Sequence, residues 1–180
     1  MNEWEPRVFS GMRNIKYLVL HTTAGNQDWS PEQVQDYFLQ VKKWRVGGYH
    51  GLIDKAGRIH RMYDDQTVTN GVLPFASGTI HISNANAIHI SWIGGISKNG
   101  AGADNRTSEQ IDAQRKLVHE YVQKYPHILI LGHNQVARKL CPCFDVPLFC
   151  RMVGVPPSNI YTVDHFSILK GLAAKPLLHA

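Results

Sequence analysis

Residues 15–25, IKYLVLHTTAG, indicate the fold class and a first candidate site. Residues 15–21 form a short run rich in apolar and branched side chains, which is typical of a buried strand. The small and polar residues that follow indicate a loop at the end of that strand. Because a strand end holds a side chain rigidly at a surface, His21 is a candidate for a metal or catalytic site.

The rest of the chain continues with alternating helix and strand patterns. Two capping boxes, at 30–33 and 107–110, predict the first residues of two helices. The apolar face expected for the first helix consists of Val34, Tyr37, Phe38, Val41 and Trp44. Further strands are predicted at 49–54, 58–63, 87–93 and 127–131, with mostly loop at 64–86. We therefore expect an α/β fold, a single domain over residues 1–180 with a central mixed β-sheet flanked by helices.

Composition and charge limit the kinds of molecule that the protein is expected to bind. The chain is 43% hydrophobic and 18% charged, with a formal net charge of +5, values typical of a globular protein with a basic surface. No dense Lys/Arg run is present, so no nucleic-acid partner is expected. The apolar stretch at 17–20 is too short for a signal peptide or a membrane span. These features predict synthesis in the cytoplasm without a signal peptide and no membrane insertion.

A second histidine and a cysteine extend the candidate site. His133 follows the strand predicted at 127–131, as His21 follows the first strand, so the two imidazoles could converge on a metal or remain separate, hydrogen-bonded edge histidines. Cys141 adds a thiol, and two imidazoles with one thiolate suit a zinc ion whose fourth position stays open. The Cys141-Pro142-Cys143 sequence is also compatible with two buried small residues or a redox pair. His81 and His89 alternate with apolar residues, which predicts structural roles.

Five stretches of the chain occur in an order that resembles a known family. They are YLVLHTTAG, GGYHGLIDKAGRIHR, NAIHISWIGG, DNRTSEQIDAQRKLV and GHNQVARKLCPCFD. Together they resemble the type 2 family of N-acetylmuramoyl-L-alanine amidases, which includes phage amidase lysozymes and shares a fold with peptidoglycan recognition proteins. The match covers about residues 15–150, so residues 151–180 are expected to be a C-terminal extension packed on the amidase domain.

The resemblance implies a set of site residues. His21, His133 and Cys141 match the ligands of one catalytic zinc ion at the strand ends. Tyr49 matches a tyrosine beside the zinc water, and Lys139 matches a catalytic lysine.

The resemblance also implies roles for residues around these site residues. Thr22, Asn86 and Trp92 are expected to border the substrate groove, and His50 is expected to pack or to bind a carbonyl rather than zinc. Cys143 stands where phage members often have serine, which leaves it as a rival to Cys141.

The function implied by the resemblance is cleavage of bacterial peptidoglycan. We expect zinc-dependent hydrolysis of the amide bond between N-acetylmuramic acid and L-alanine, by a monomer that acts as a phage or prophage endolysin on the cell wall after release. The alternative is a recognition module that binds peptidoglycan without cutting it. Loss of the cysteine ligand usually marks that state in this fold, and Cys141 is present.

Overall fold

A computed structural model of the chain describes residues 12–171. Its seven strands are β1 Tyr17–Thr22, β2 Gly51–Ile53, β3 Ile59–Arg61, β4 Phe75–Ser77, β5 Ile80–Ile82, β6 Ala87–Trp92 and β7 Leu129–Gly132. Five of them form one sheet in the order β3-β2-β6-β1-β7, while β4 and β5 form a separate hairpin. The expected single domain over residues 1–180 extends beyond the described residues at both ends and stays a prediction.

The large sheet is mixed, as predicted. β1 pairs in parallel with β6 and β7, β2 pairs in parallel with β6, and β3 runs antiparallel to β2. All six residues of β1, an interior strand of the sheet, are buried. In the register of the sheet, His21 lies opposite Ser91 on β6 and Leu20 lies opposite Gly132 on β7. The carboxyl ends of these three strands therefore meet at one edge of the sheet.

Within residues 12–171, four α-helices accompany the sheet: α1 Pro31–Asp36, α2 Ser108–Lys124, α3 His133–Val136 and α4 Val146–Met152. Both predicted capping boxes are present, because the Ser30 and Thr107 side chains accept hydrogen bonds from the backbone N–H groups of Gln33 and Gln110. Asp145 caps α4 by accepting from the Leu148 N–H group. The side chains therefore set the first residues of the helices as the sequence indicates.

The two faces of the sheet bury different side chains of β1. Leu18 and Leu20 belong to a cluster with side chains of α2 and α4, such as Leu117 and Phe149. Tyr17 and Val19 point the other way and pack with residues of the hairpin and α3. Because side chains alternate along a strand, His21 lies on the same face as Tyr17 and Val19. This face of the sheet carries the candidate site.

Two segments differ from the sequence-based expectation. The first helix continues as a π-helical turn, Tyr37–Val41, and three members of its expected apolar face, Tyr37, Val41 and Trp44, are exposed. The expected loop at 64–86 contains the β4–β5 hairpin, whose strands of three residues are too short to produce an alternating pattern.

The segment that follows α4 packs on the sheet. The Tyr161 N–H group donates to the Ile130 carbonyl oxygen at 3.0 Å, and Ile160 forms a bridge with Ile130. Ile160 and Tyr161 of the expected C-terminal extension therefore contact β7, while residues 172–180 lie outside the described part of the chain. Between residues 12 and 171, every helix is too short or too polar to cross a lipid bilayer.

Candidate metal centre

Three potential metal ligands converge beside the carboxyl ends of β1 and β7. The ligand atoms of His21, His133 and Cys141 all lie within 4.8 Å of one another. His21 Nδ1 is 3.6 Å from Cys141 Sγ, and the two imidazole ring centroids are 4.7 Å apart. The structure thus brings together the two histidines predicted at strand ends and the first cysteine of the Cys-Pro-Cys sequence.

The position of His133 follows from the turn between β7 and α3. A side chain at Gly132 would meet Asn134 Oδ1 at 2.5 Å and Val146 Cγ2 at 2.9 Å, so only glycine fits this close approach. The Gln135 side chain accepts from the Gly132 N–H group and donates to the carbonyl oxygens of Tyr161 and Val163. His133 is therefore held between a strand end and an anchored helical turn.

The loop that carries Cys141 is tied to β1 and β6. The Thr22 N–H group donates to Cys141 Sγ at 3.2 Å, and Trp92 Nε1 donates to the Pro142 carbonyl oxygen at 3.1 Å. Cys143 has a positive φ of 71°, and its Sγ contacts the Gly95 carbonyl oxygen at 3.9 Å. The turn therefore orients the two thiols differently, with Cys141 facing His21.

The electrostatics of the centre favour neutral imidazoles. Burial holds the pKa of His21 well below its usual value, and the neighbouring His133, His89 and Lys139 lower it further. Burial and the nearby Lys139 ammonium lower the pKa of His133 to about 4. Both rings therefore offer a lone pair at neutral pH. Burial raises the pKa of the Cys141 thiol to about 12, and a bound cation would favour its thiolate form.

The donor set and its spacing fit a zinc ion. Zinc accepts nitrogen and sulfur ligands, and two ligands of a tetrahedral ion at the usual Zn–N and Zn–S bond lengths lie about 3.6 Å apart. The separation between His21 Nδ1 and Cys141 Sγ is 3.6 Å. Three protein ligands also leave a fourth position open, which is the arrangement of catalytic rather than structural zinc sites.

Tyr49 lies against the candidate metal centre. Its ring is 5.2 Å from that of His21 and 5.3 Å from that of Phe38, and its hydroxyl donates to the Thr22 carbonyl oxygen at 3.4 Å. Burial, followed by the effect of Cys141, raises the pKa of Tyr49. The phenol therefore stays protonated at neutral pH and can donate a hydrogen bond beside the centre.

Lys139 lies two residues before Cys141, and its side chain is exposed. Its ammonium is close enough to lower the pKa of both His21 and His133. The Lys139 charge therefore lies on the open side of the site, where an anionic or polarised group could meet it.

The three expected groove residues occupy different environments. Thr22 lies at the centre, but its side chain is buried and donates to the Gly94 carbonyl oxygen at 2.7 Å. Trp92 is fully buried, so its indole supports the Cys141 loop and has no surface to offer a substrate. Asn86 precedes β6, at the other end of the strand from the metal centre, and its amide donates to the His81 carbonyl oxygen.

Two further histidines lie behind the centre. His50 Nε2 donates to the Thr67 carbonyl oxygen at 2.9 Å, which confirms the expectation that His50 binds a carbonyl. His89 Nδ1 lies 3.0 Å from His21 Nε2, a contact that the sequence analysis missed. Only the register of β1 against β6, with His89 two residues before the partner of His21, could have indicated it.

Comparisons with known proteins identify the family that the chain matches. A family model described as N-acetylmuramoyl-L-alanine amidase matches residues 11–144. The endolysin of Enterobacteria phage K11 is 27% identical over 140 residues, which cover 77% of this chain and 87% of that protein.

Solved structures show the same fold. The endolysin of the Thermus scotoductus bacteriophage Ph2119 superposes with a TM-score of 0.63 at 25% identity, covering 82% of this chain and 89% of that one. Bumblebee PGRP-SA superposes with a TM-score of 0.61 at 18% identity, covering 83% and 86%. The second likeness concerns the fold alone.

Proposed function

Since the chain belongs to the N-acetylmuramoyl-L-alanine amidase family, we propose that it is a zinc-dependent peptidoglycan hydrolase. The bond cleaved is the amide between N-acetylmuramic acid and L-alanine of the stem peptide. The likeness to phage endolysins supports a role in lysis of the bacterial cell wall, as a phage or prophage enzyme. The corresponding enzyme class is EC 3.5.1.28.

The observation that carries the proposal is the convergence of His21, His133 and Cys141 within 4.8 Å. We assign these residues as the ligands of one catalytic zinc ion, with Cys141 rather than Cys143 as the third ligand. When bound, zinc supplies an activated water and polarises the scissile carbonyl. All three ligands come from one chain, so a monomer is sufficient for the site.

Lys139 and Tyr49 are the proposed catalytic side chains. The Lys139 ammonium stabilises the negative charge that develops on the carbonyl oxygen during attack. The Tyr49 hydroxyl exchanges its long hydrogen bond to the Thr22 carbonyl oxygen for one at the reacting centre and assists proton transfer there. These roles are supported by the contact between the Tyr49 and His21 rings and by the effect of the Lys139 charge on both ligand histidines.

Thr22, Asn86 and Trp92 have smaller proposed roles in the site. Thr22 can contribute only its backbone to the site, because its side chain is buried and bonded to Gly94. We propose that this backbone orients Cys141 and Tyr49 through the two hydrogen bonds described above. Asn86 and Trp92 support the fold rather than contact the stem peptide.

Digestion of purified peptidoglycan tests the proposal directly. The protein is incubated with sacculi, with and without a chelator, and the products are identified by mass spectrometry. We expect free stem peptides that begin with L-alanine, and we expect chelation or Cys141→Ser to abolish their release. Cys143→Ser is the matched control and should retain both zinc and activity. Loss of zinc from Cys143→Ser but not from Cys141→Ser would reverse the ligand assignment.

The alternative function is a recognition module that holds muropeptides without cutting them. Its support is the likeness in fold to PGRP-SA. The complete set of two histidines and a cysteine favours the enzyme. Sacculi that remain intact while they retain bound protein, in the presence of zinc, would establish the alternative.

A further inference from the structure

The ring of His89 lies beside His21 on the side away from Cys141. His89 Nδ1 is 3.0 Å from His21 Nε2, and the two ring planes are inclined at 61° with centroids 5.2 Å apart. Both side chains are buried, with 0% and 1% of their surfaces exposed. The second ring nitrogen of His21 therefore contacts a histidine rather than water.

This contact restricts how the two rings can share their protons. His21 Nδ1 faces Cys141 Sγ at 3.6 Å, so it is the nitrogen available to a metal. A neutral imidazole that binds a metal through Nδ1 carries its proton on Nε2 and must donate it. The acceptor within reach is His89 Nδ1. His89 must then keep Nδ1 unprotonated and carry its own proton on Nε2.

The backbone and ring of His89 are held in place from two sides. The His89 N–H group donates to His50 Nδ1 at 3.0 Å, and the opposite nitrogen of His50 donates to the Thr67 carbonyl oxygen. A side chain at Gly71 would come within 2.2 Å of His89 Cγ, so the ring occupies space that only glycine leaves free. These contacts restrict the position of the ring beside His21.

A histidine at this position has an energetic cost. Among the described residues, His89 Nε2 is buried and has no hydrogen-bond partner. A buried polar group without a partner destabilises a protein, so an apolar residue would serve packing alone better. The feature that distinguishes histidine here is the lone pair of Nδ1, which faces His21.

We propose that His89 is a positioning residue that accepts the Nε2 proton of His21 and holds His21 Nδ1 toward the other two ligands. The inference rests on the proposed zinc site and adds a residue that determines the tautomer and orientation of one ligand. Partners of this kind, which hydrogen-bond a ligating histidine, typically change metal affinity by roughly 10–100-fold when they are replaced.

Zinc affinity of the full chain tests the role without reference to activity. Zinc is removed with a chelator, and the dissociation constant is measured by competition with a chromophoric chelator. His89→Phe keeps a ring but removes the acceptor, and it should weaken zinc binding roughly 10–100-fold. His89→Asn places an amide oxygen near the position of Nδ1 and should restore most of the affinity. Equal weakening in both variants would show that ring packing matters and would overturn the proposal.

A matched control separates this effect from the loss of any histidine. His119 on α2 donates from Nε2 to the Val153 carbonyl oxygen at 2.8 Å and lies outside the ligand group. His119→Phe should bind zinc as tightly as the unsubstituted protein. If His89→Phe also binds zinc that tightly, the positioning role is overturned.

The protonated nitrogens can be identified without any substitution. In the zinc-loaded, ¹⁵N-labelled protein, NMR correlations should show both His21 and His89 with the proton on Nε2. A proton on His89 Nδ1 would overturn the inference even if His89→Phe fails to fold. If the unsubstituted protein binds no zinc at all, the proposed function fails first. Zinc binding that requires Cys141 but not His89 would refute the role of His89 and leave the proposed function intact.

Discussion

At the scale of single residues, Lys139 is the side chain whose charge reaches the open side of the metal centre. Lys139→Ala should lower kcat by roughly 10²–10³-fold, because it removes a group that stabilises charge only as the reaction proceeds. Zinc content should remain unchanged, since Lys139 is not among the ligands. Kinetics on purified peptidoglycan and metal analysis of the same samples give the two measurements.

The neighbouring Arg138 provides the control for Lys139. Its guanidinium lies 5.4 Å from the centroid of the Phe166 ring, and its side chain is exposed. Arg138→Ala removes the same charge one position away and should retain near-normal kcat. Equal losses in the two variants would indicate a general effect of basic surface charge on wall binding.

Tyr49 allows a test that separates its hydroxyl from its ring. Tyr49→Phe keeps the packing against His21 and Phe38 and removes only the donor, so folding should be preserved. Groups that transfer protons contribute about 10²–10⁴-fold, and we expect kcat to fall within that range. Tyr37→Phe changes an exposed tyrosine that also packs on Phe38 and should have little effect. Unchanged kcat in Tyr49→Phe would remove Tyr49 from the mechanism.

Single residues also show what a sequence can and cannot reveal. His21 and His133 could be identified because each lies at or directly after the end of a recognisable strand. Cys141 could be preferred to Cys143 only by resemblance, because the turn that orients the two thiols differently has no local signature. His89 was expected to be structural, and its contact with His21 depends on pairing between strands nearly 70 residues apart. Local patterns carry no information about that pairing.

At the scale of elements, Asp65 connects α2 to the segment after β3. Its carboxylate accepts hydrogen bonds from Tyr121, Tyr125 and Lys124 at 3.0, 2.8 and 2.6 Å. Asp65→Asn should lower the free energy of unfolding at pH 7 by about 1.5–3 kcal/mol, the usual contribution of a hydrogen bond to a charged group. Thermal or denaturant unfolding measures the change. Asp112→Asn, at an exposed ion pair on α2, should change it by less than about 0.5 kcal/mol.

The loss of stability caused by Asp65→Asn should become smaller as the pH falls. Burial acts to raise the pKa of Asp65, but the hydrogen bonds from Lys124, Tyr125 and Tyr121 outweigh it, so the pKa lies below its usual value. The stabilisation is therefore complete above the unfolded-state pKa of about 3.9 and is lost as the pH falls through the folded-state pKa. The difference between the two proteins should shrink below about pH 4. A difference that grows with acidity would contradict this assignment.

The elements differ in how well local sequence predicts them. Helix starts at Ser30 and Thr107 were predicted because a capping box is a local interaction within four residues. The β4–β5 hairpin was missed because its short strands are stabilised by packing with Tyr17 and Val19, which lie far away in sequence. The exposed Tyr37 and Val41 show that helical spacing of apolar residues does not ensure that they are buried.

At the scale of the whole molecule, the ligands connect segments that are distant in the chain. Zinc at about 100 times its dissociation constant stabilises a folded protein by about 2.7 kcal/mol, if the unfolded chain does not bind it. For a chain of this size, the melting temperature should rise by roughly 5–11 °C. Calorimetry with and without zinc measures the shift. Cys143→Ser should retain it, whereas Cys141→Ser should lose most of it, and an undiminished shift in Cys141→Ser would contradict the ligand assignment.

The interior position of β1 in the sheet also has a consequence for biosynthesis. β1, at residues 17–22, is translated well before its two neighbours in the sheet, β6 at 87–92 and β7 at 129–132. A ribosome that adds about 5–20 residues per second needs roughly 6–22 s to extend the chain from residue 22 to residue 132. Both hydrogen-bonding edges of this apolar strand lack their partners until β6 has been made, and the edge that pairs with β7 lacks its partner for the whole interval. An unpaired apolar strand edge is a site for aggregation, and a chain that ends before residue 132 lacks the last strand of the sheet and two of the three candidate metal ligands.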